Sequence, residues 1–264
     1  MTVLSITTDF GITNGFVGVM KGVIYNIAPD VKIVDISHLI SAQDVLEGAY
    51  AMWRAVSFFP PGSVHVGVID PGVGTKRRPI GARLGNQYFI VPDNGLLTPL
   101  ILDAERDGKI VEFVHLDNSK YWLPKISSTF HGRDIFAPTG AHLAAGVPLG
   151  ELGTPITDTI RLKLPRPEKT ENGWRAHVTI IDIFGNLTTD LPAEALKGRC
   201  DVLIRIGDGE IDGIIESYGH REIGDLVAVV DSEYYIEIAV VNGDAARTLN
   251  AKTGDIVDVL LKSS

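Results

Sequence analysis

At 264 residues the chain is long enough to bury a sizeable core, in one large domain or in a large domain with a small companion. Its 33 acidic against 24 basic residues give a formal charge of -9, which argues against a nucleic-acid backbone or an anionic membrane surface as the main partner and favours a small molecule. Cys200 is the single cysteine, so neither an intrachain disulfide framework nor a thiolate zinc cluster can form. The opening MTVLSITTDFG has no basic region leading into an apolar core with a small-residue cleavage site, and no apolar run nears the ~20 residues of a membrane-spanning helix. The expectation is a soluble protein of the reducing cytoplasm.

In chain order, VLSIT (3–7), VKIVDI (31–36) and VHVGVID (64–70) are short apolar, β-branched runs that read as buried strands. Between them, Phe16, Met20, Val23, Ile24 and Ile27 recur at helical spacing until APD, and Val45, Leu46, Ala49, Tyr50, Trp53 and Val56 do so until FPPG. Strand alternating with helix predicts right-handed crossovers on a largely parallel sheet. A hairpin follows around LGNQY (84–88), then a strand in KIVEFVHL (109–116), then a helix opening after STFHGRD and running through HLAAG. Pro138 lies inside that last pattern and predicts a helix start close to it or a kink.

The stretch LKLPRPEKTENG (162–173) has two prolines, many charges and few large apolar residues, the composition of a linker. Beyond it, WRAHVTIIDI, NLTTDL, DVLIRI, GEIDGII, LVAVV, YYIEIAVV and DIVDVLL are strand-like runs punctuated by turns, as in a small antiparallel barrel or sandwich. The expected organisation is an α/β domain over 1–165 and an all-β domain over 166–264.

Familiar nucleotide and metal signatures are missing. GVGTKR lacks the third glycine of a dinucleotide loop, no GxxxxGK[ST] occurs, DFG at 9–11 has no kinase partners, and the seven histidines show no HExxH or HxH spacing. No metal is expected. What remains is polar residues at the carboxyl ends of expected strands: Asp9 after the first, Ser37 and His38 after the second, Asp70 after the third. Open α/β sheets bind ligands there. Taken singly, each also fits a structural role: Asp9 a turn cap, His38 a satisfied core histidine, Asp70 the start of a turn at Pro71.

Asp70 opens DPGVGTKRR, where a tight bend separates a carboxylate from three cations. The bend can be a plain surface turn, an anion cradle made by glycine-flanked amides to which Arg77 adds a positive charge, or a catalytic pair of carboxylate and guanidinium. Lys76 and Arg78 read as solvated loop cations. His131 and Gly132 in STFHGRD fall at a helix start, where free amides and a positive dipole end face outward, and a histidine there can hold and polarise a water. In IIDIFGNLTTD (180–190), Asp182 and Asn186 bracket a tight turn; a hairpin explains this, and an Asn with donor and acceptor also suits an adenine edge.

TDFG, IVDISH, DPGVGTKRR, VPDNGLL, STFHGRDIFAP, DIFGNLTT and VVDSEYYIEIAVVNG, in this order over nearly the whole chain, closely resemble the adenosine-forming S-adenosylmethionine hydrolases, or SAM hydroxide adenosyltransferases, relatives of the fluorinase and chlorinase. The resemblance implies an α/β amino domain, a β-barrel carboxyl domain, and a homotrimer with its site at the subunit interface. It implies hydrolysis of S-adenosyl-L-methionine to adenosine and L-methionine by water attacking ribose C5′, with no cofactor. It also implies catalytic roles for Asp70, Arg77 and His131, Asp9 on the ribose hydroxyls, Asn186 on the adenine edge, Phe184 and Tyr218 against the base, and Asn14, Ser232 and Glu233 at the methionine end. The chain departs from the halogenases: Asp70 and Gly132 stand where the fluorinase has a tyrosine and a halide-holding serine, His131 replaces the tyrosine before that serine, Gln43 replaces a packing tryptophan, and Glu233 an arginine. A halogenase of the same family and a non-catalytic adenosine or S-adenosylmethionine sensor are the rival readings.

Overall fold

The structure, a computed structural model, describes residues 2–262 and divides at Leu162/Lys163 into two compact units. Met1, Ser263 and Ser264, at the ends of the two expected domain ranges, lie outside the described residues.

The amino unit begins with β1 (Val3–Thr8), α1 (Phe16–Ile27), β2 (Lys32–Ser37), α2 (Val45–Val56) and β3 (Val64–Val68), the alternation that the apolar spacing predicts. β1 pairs in parallel with β2 on one side and β3 on the other, so the winding reverses at β1, and the loops after β1 and β3 leave the sheet side by side. Both faces of this centre are covered, which is why its strands read as continuous apolar runs. Leu4, Ile6, Val64 and Val66 pack with Met20 and Ile24 on one face, while Met52, Val56 and Ile69 belong to a second core.

The sheet continues through β4 (Pro79–Leu84), β5 (Gln87–Pro92), β6 (Val111–His115) and β7 (Thr154–Ile156), in the order β2-β1-β3-β5-β4-β6-β7. β5 runs parallel to β3, and β4, β6 and β7 add antiparallel pairs, so the sheet is mixed with a parallel half that carries the site. The hairpin expected around residues 84–88 joins β4 to β5. α3 (Thr98–Arg106) has no counterpart in the sequence reading: it is only nine residues long, and its buried Ile101 and Ala104 give too short a stripe to stand out.

The helix around Pro138 takes an unusual form. Gly132–Phe136 make a π-helical turn that runs into α4 (Ala137–Ala144), with Pro138 in the first turn of the regular helix. Proline has no N–H for the carbonyl four residues earlier, and here the Asp134 carbonyl instead accepts from the Leu123 amide at 2.9 Å. The start-near-proline alternative is the one observed. π-turns of this kind recur at functional sites.

In the carboxyl unit, β8 (Glu168–Thr170), β9 (Gly173–Ile181), β10 (Leu187–Pro192), β11 (Val202–Ile206), β12 (Gly209–Asp212), β13 (Leu226–Val230), β14 (Tyr235–Val240), α5 (Ala245–Leu249) and β15 (Ile256–Leu261) follow. All strand pairs are antiparallel, in the order β12-β11-β15-β9-β10-β14-β13, and contact between β12 and β13 nearly closes a barrel. Val202, Ile204 and Ile206 point inward while Arg205 points out, the two-residue period of a half-buried strand, and each buried side chain contributes roughly 1.5–3 kcal/mol. β8 lies inside the stretch whose composition predicts a linker: Glu168–Thr170 pair with Gly173–Arg175, so its later half belongs to the barrel. Among the described residues no helix is long and apolar enough to cross a membrane.

Candidate active site

Two amides of the bend after β3 are already committed and are not available to cradle an anion. The Val73 amide donates to the Asp70 carbonyl at 3.2 Å and the Thr75 amide to the Gly72 carbonyl at 3.1 Å, so those donors are spent within the turn. Gly74 has φ +77°, and a Cβ there would lie 2.4 Å from the Ser128 carbonyl oxygen, so glycine lets the bend close against the segment that carries His131. What the bend achieves is to return Arg77 to Asp70. Arg77 Nε donates to Asp70 Oδ1 at 2.8 Å and Nη2 donates to Oδ2, a bidentate pair whose side chains are 9 and 5% exposed. The guanidinium carbon lies 5.1 Å over the Phe136 ring, on the π-turn.

Lys76 is exposed, as expected of a loop cation, whereas Arg78 is not free in solvent. Its Nη2 donates to buried Asp93 at 2.7 Å and its Nη1 to Asp158 at 2.8 Å, tying the loop to the segment after β7. Adjacent arginines therefore divide the work: one faces the site and the other holds the bend.

His131 completes a triad. Arg77 Nη2 donates to His131 Nδ1 at 2.9 Å. A guanidinium has only donors, so Nδ1 is an acceptor and the neutral ring carries its proton on Nε2. Burial, and next the charge of Arg77, hold the imidazole below its ordinary range, which keeps it neutral. The expectation of free helix-start amides is corrected: the Arg133 and Asp134 amides both donate to the Phe130 carbonyl at 3.1 Å. The segment is clamped instead by Asp134, fully buried, which accepts from the Ser127 amide at 2.8 Å, the Ser127 hydroxyl at 2.7 Å and Arg133 Nε at 2.6 Å. Neither Phe136 nor Asp134 was assigned a role from sequence, although both lie in the motif STFHGRDIFAP.

Asp9 lies on the loop after β1, where its Oδ2 accepts from the Gln43 amide at 2.8 Å, leaving carboxylate capacity for a ligand. Gln43 adopts φ 66°, which turns that amide toward Asp9; the part it plays is a main-chain one. Asn14 is exposed on the same loop. Phe10, Phe16 and Phe130 form an edge-to-face cluster with centroids 5.3–6.1 Å apart, and Phe10 and Phe130 both pack on Gly132, so the Asp9 and His131 segments are neighbours. Ser37 accepts from the Leu39 amide at 3.1 Å.

The carboxyl unit holds a cavity of about 670 Å³ lined by Phe184, Asn186 and Tyr218, with Asn242, Asp244 and Arg247 among the rest. Asp182 builds its rim, accepting from the Phe184 and Asn186 amides at 2.9 and 2.8 Å and from Asn186 Nδ2 at 3.0 Å. Gly185, φ +82°, passes so close to Asp244 that a Cβ would lie 2.0 Å from its Oδ1. The Tyr218 hydroxyl donates to buried Glu237; burial and then that bond raise its pKa, so the ring stays neutral. Ser232 and Glu233 do not line this cavity. They lie in the turn between β13 and β14, where the Glu233 amide donates to Asp231 at 2.9 Å. Among the described residues no group of three or more His, Cys, Asp or Glu could hold a metal ion.

The profile of the SAM hydroxide adenosyltransferase N-terminal domain matches residues 4–153, and that of the C-terminal domain residues 176–258. The chain belongs to the SAM hydroxide adenosyltransferase family. Within it, the chain is 36% identical to the (R)-S-adenosyl-L-methionine hydrolase of Salinispora tropica, over 96% of this chain and 95% of that protein. It is likewise 36% identical to the (R)-S-adenosyl-L-methionine hydrolase of Thermus thermophilus, over 96 and 97%. A fluorinase of an Actinoplanes species is 30% identical over 97% of both chains. The crystal structure of a conserved protein from Thermotoga maritima superposes with a TM-score of 0.89 at 36% identity, covering 97% of this chain and 99% of that one.

Proposed function

We propose that the chain hydrolyses S-adenosyl-L-methionine to adenosine and L-methionine. The observation that carries this is the Asp70–Arg77–His131 contact at the ligand edge of the sheet, in a chain 36% identical to proteins named for that hydrolysis. In the reaction a water oxygen bonds to ribose C5′ as the C5′–S bond breaks. Its electron pair goes to sulfur, and the leaving group is a neutral thioether. The sulfonium is already activated, so no resident cofactor and no general acid are required. The difficulty is the nucleophile, which must be held in line and relieved of a proton.

The three side chains divide that task by their donor capacity. Arg77 can only donate, and it lowers the energy of hydroxide character on the water. His131, its Nδ1 engaged by Arg77, offers an Nε2–H donor to the water oxygen rather than a base. Asp70 alone has lone pairs to receive the proton. Asp9 takes the ribose diol, and Asn186, Phe184 and Tyr218 take adenine. Asn14, Ser232 and Glu233 are proposed for the methionine end, on the strength of the resemblance.

The fluorinase likeness supports the halogenase as a second reading. Against it stand the Asp70 carboxylate, which repels a halide, and Gly132, where a Cβ would meet Phe10 and Phe130 at 3.2–3.3 Å. Product analysis in oxygen-18-labelled water tests the proposal. Labelled adenosine with equimolar methionine is expected; a 5′-halo-nucleoside in added chloride or fluoride supports the halogenase, and no product above the blank supports the sensor. A homotrimer with its site at the subunit interface, in a cytoplasmic setting, is part of the same proposal. Sedimentation tests the assembly, and mixing inactive Asp70→Ala chains with Asn186→Ala chains, which turn over but bind more weakly, should bring back sites with both wild-type turnover and wild-type affinity.

A further inference from the structure

His38 is singled out by the sequence but has no part in the scheme above. It is 6% exposed, and its Nδ1 lies 2.8 Å from the hydroxyl of fully buried Thr8, the residue before Asp9. Its carbonyl accepts from the Gly11 amide at 2.8 Å. His38 is therefore bonded to both ends of the turn that carries Asp9, by side chain at Thr8 and by main chain at Gly11. The Thr8 hydroxyl also accepts from the Phe10 amide at 3.3 Å, which gives the turn a third tie to the same point.

The backbone places His38 there by a local irregularity. β1 and β2 pair in step from Val3↔Lys32 to Ile6↔Asp35, and then the register slips so that Thr7 pairs with Ser37. One extra residue on β2, Ile36, displaces the strand end, the kind of bulge that re-aims side chains near sites. On its other side His38 Nε2 lies 3.0 Å from Asp35 Oδ1, a contact short of a well-aligned hydrogen bond, and Asp35 Oδ2 accepts from Lys21 at 2.6 Å. Lys21 is on α1, so the chain of contacts runs from helix through β2 to the Asp9 turn.

We propose that His38 is a positioning residue: its bond to Thr8 sets the geometry of the Asp9 turn and thereby the affinity for the vicinal hydroxyls of a ribose. The proposal rests on the reading that Asp9 accepts from those hydroxyls. Thr8 and His38 are buried, and their effect passes through the carboxylate of Asp9.

Binding of adenosine and of 2′,3′-dideoxyadenosine to the full chain tests this, with melting temperatures alongside. The wild type is expected to prefer adenosine by ~10-fold or more, because a site built to accept from hydroxyls loses that bond in the analogue. Thr8→Ala and His38→Gln should cut the preference to within ~3-fold with dideoxyadenosine affinity unchanged. His38→Asn, which can keep a polar atom near the Nδ1 position, should retain it. Equal preference in His38→Asn and His38→Gln, or equal weakening of both nucleosides, would overturn the proposal, as would an unchanged preference in Thr8→Ala. Asp9→Asn separates the two levels. If it leaves the preference intact, the ribose reading falls and takes the proposal with it; if it abolishes the preference while Thr8→Ala and His38→Gln do not, only the proposal falls.

Discussion

The polar groups of the two units are held in contrasting ways. In the amino unit Asp70 and Arg77 are almost out of solvent and fixed by each other, by His131 and by the Phe136 face. In the carboxyl unit Phe184 is 71% and Tyr218 42% exposed around an open cavity. On the proposed function, the difference follows from what each half has to do. Charges that act on a nucleophile gain from a low-dielectric, preorganised setting and lose most of their effect if water reaches them. A surface that receives an aromatic base must stay open until the base arrives, and burial of ring area then supplies the affinity.

Substitutions at the buried pair Asp70 and Arg77 should show this contrast most strongly. Arg77→Ala and Asp70→Ala are each expected to lower kcat by ~10³-fold or more, with adenosine affinity within a few-fold of wild type. Arg77→Lys should recover little, since an ammonium cannot bond Asp70 in two places and reach His131 as well. Asp70→Ala also strands a buried guanidinium, so its melting temperature should fall while that of Asp70→Asn falls less. Full turnover in either alanine variant would mean that the buried half is structural.

His131 should matter less, and in a way that depends on donor geometry. His131→Ala is expected to cost ~10²-fold, and His131→Gln, which can place an N–H near the Nε2 position, should regain a large part. The pH dependence has a definite sign. As pH falls, the proton must add at Nδ1, against the Arg77 N–H, and the ring's pKa is already lowered by burial and by Arg77. The acid limb governed by this group should therefore lie below the ordinary histidine value of about 6.5 and be absent in His131→Gln. An acid limb above 6.5 that disappears in His131→Gln would contradict the neutral, Nε2-protonated ring.

A third histidine sharpens the comparison because it is buried without catalytic company. His65 on β3 is fully buried, bonded to Ser5 at 2.7 Å and stacked on Phe89, and burial pushes its pKa down to about 4. Above pH 6.5 both the folded and unfolded chains hold it neutral, and it adds no pH dependence. Between 6.5 and 4 the unfolded chain binds a proton that the native one refuses, so stability falls as pH is lowered, by up to about 3 kcal/mol. Denaturation midpoints across that window should slope accordingly and flatten in His65→Leu. A wild-type profile with no slope would show that this imidazole takes up its proton inside the fold.

How much of this was legible in the sequence depended on whether a feature announces itself locally. The strand–helix alternation and the barrel strands did, because burial of one or both faces imposes a period on the residues themselves. Asp9, Asp70 and His38 were visible as polar ends to apolar runs. The turn at DPGVG was visible as a bend, but not its purpose: Gly74 admits the backbone of a distant segment, and this follows from the fold. Asp134 and Phe136 were invisible as contributors because they act through contacts made on folding, with Ser127 and with Arg77. The role of Arg78 was misjudged for the same reason, since its partners Asp93 and Asp158 are 15 and 80 residues away.

The smallest effect predicted lies in the open half, and there it concerns selectivity rather than strength. Asn186 Nδ2 donates to Asp182 Oδ2, and a carboxylate accepts only, so this bond fixes which way round the amide sits. That leaves the carbonyl oxygen and the second N–H of a cavity-lining residue as an acceptor beside a donor, the pattern that pairs with the amino edge of adenine. Hypoxanthine presents an acceptor at that position, and an amide free to rotate could follow the change. An amide locked by Asp182 cannot. Adenosine should therefore bind about 10-fold more tightly than inosine, and Asn186→Ala should weaken adenosine by a similar factor with kcat nearly unchanged. Asp182→Ala should narrow the adenosine-to-inosine ratio to about 3-fold, chiefly by improving inosine. If Asp182→Ala weakens both nucleosides alike, Asp182 shapes the loop through the Phe184 and Asn186 amides without orienting the side-chain amide.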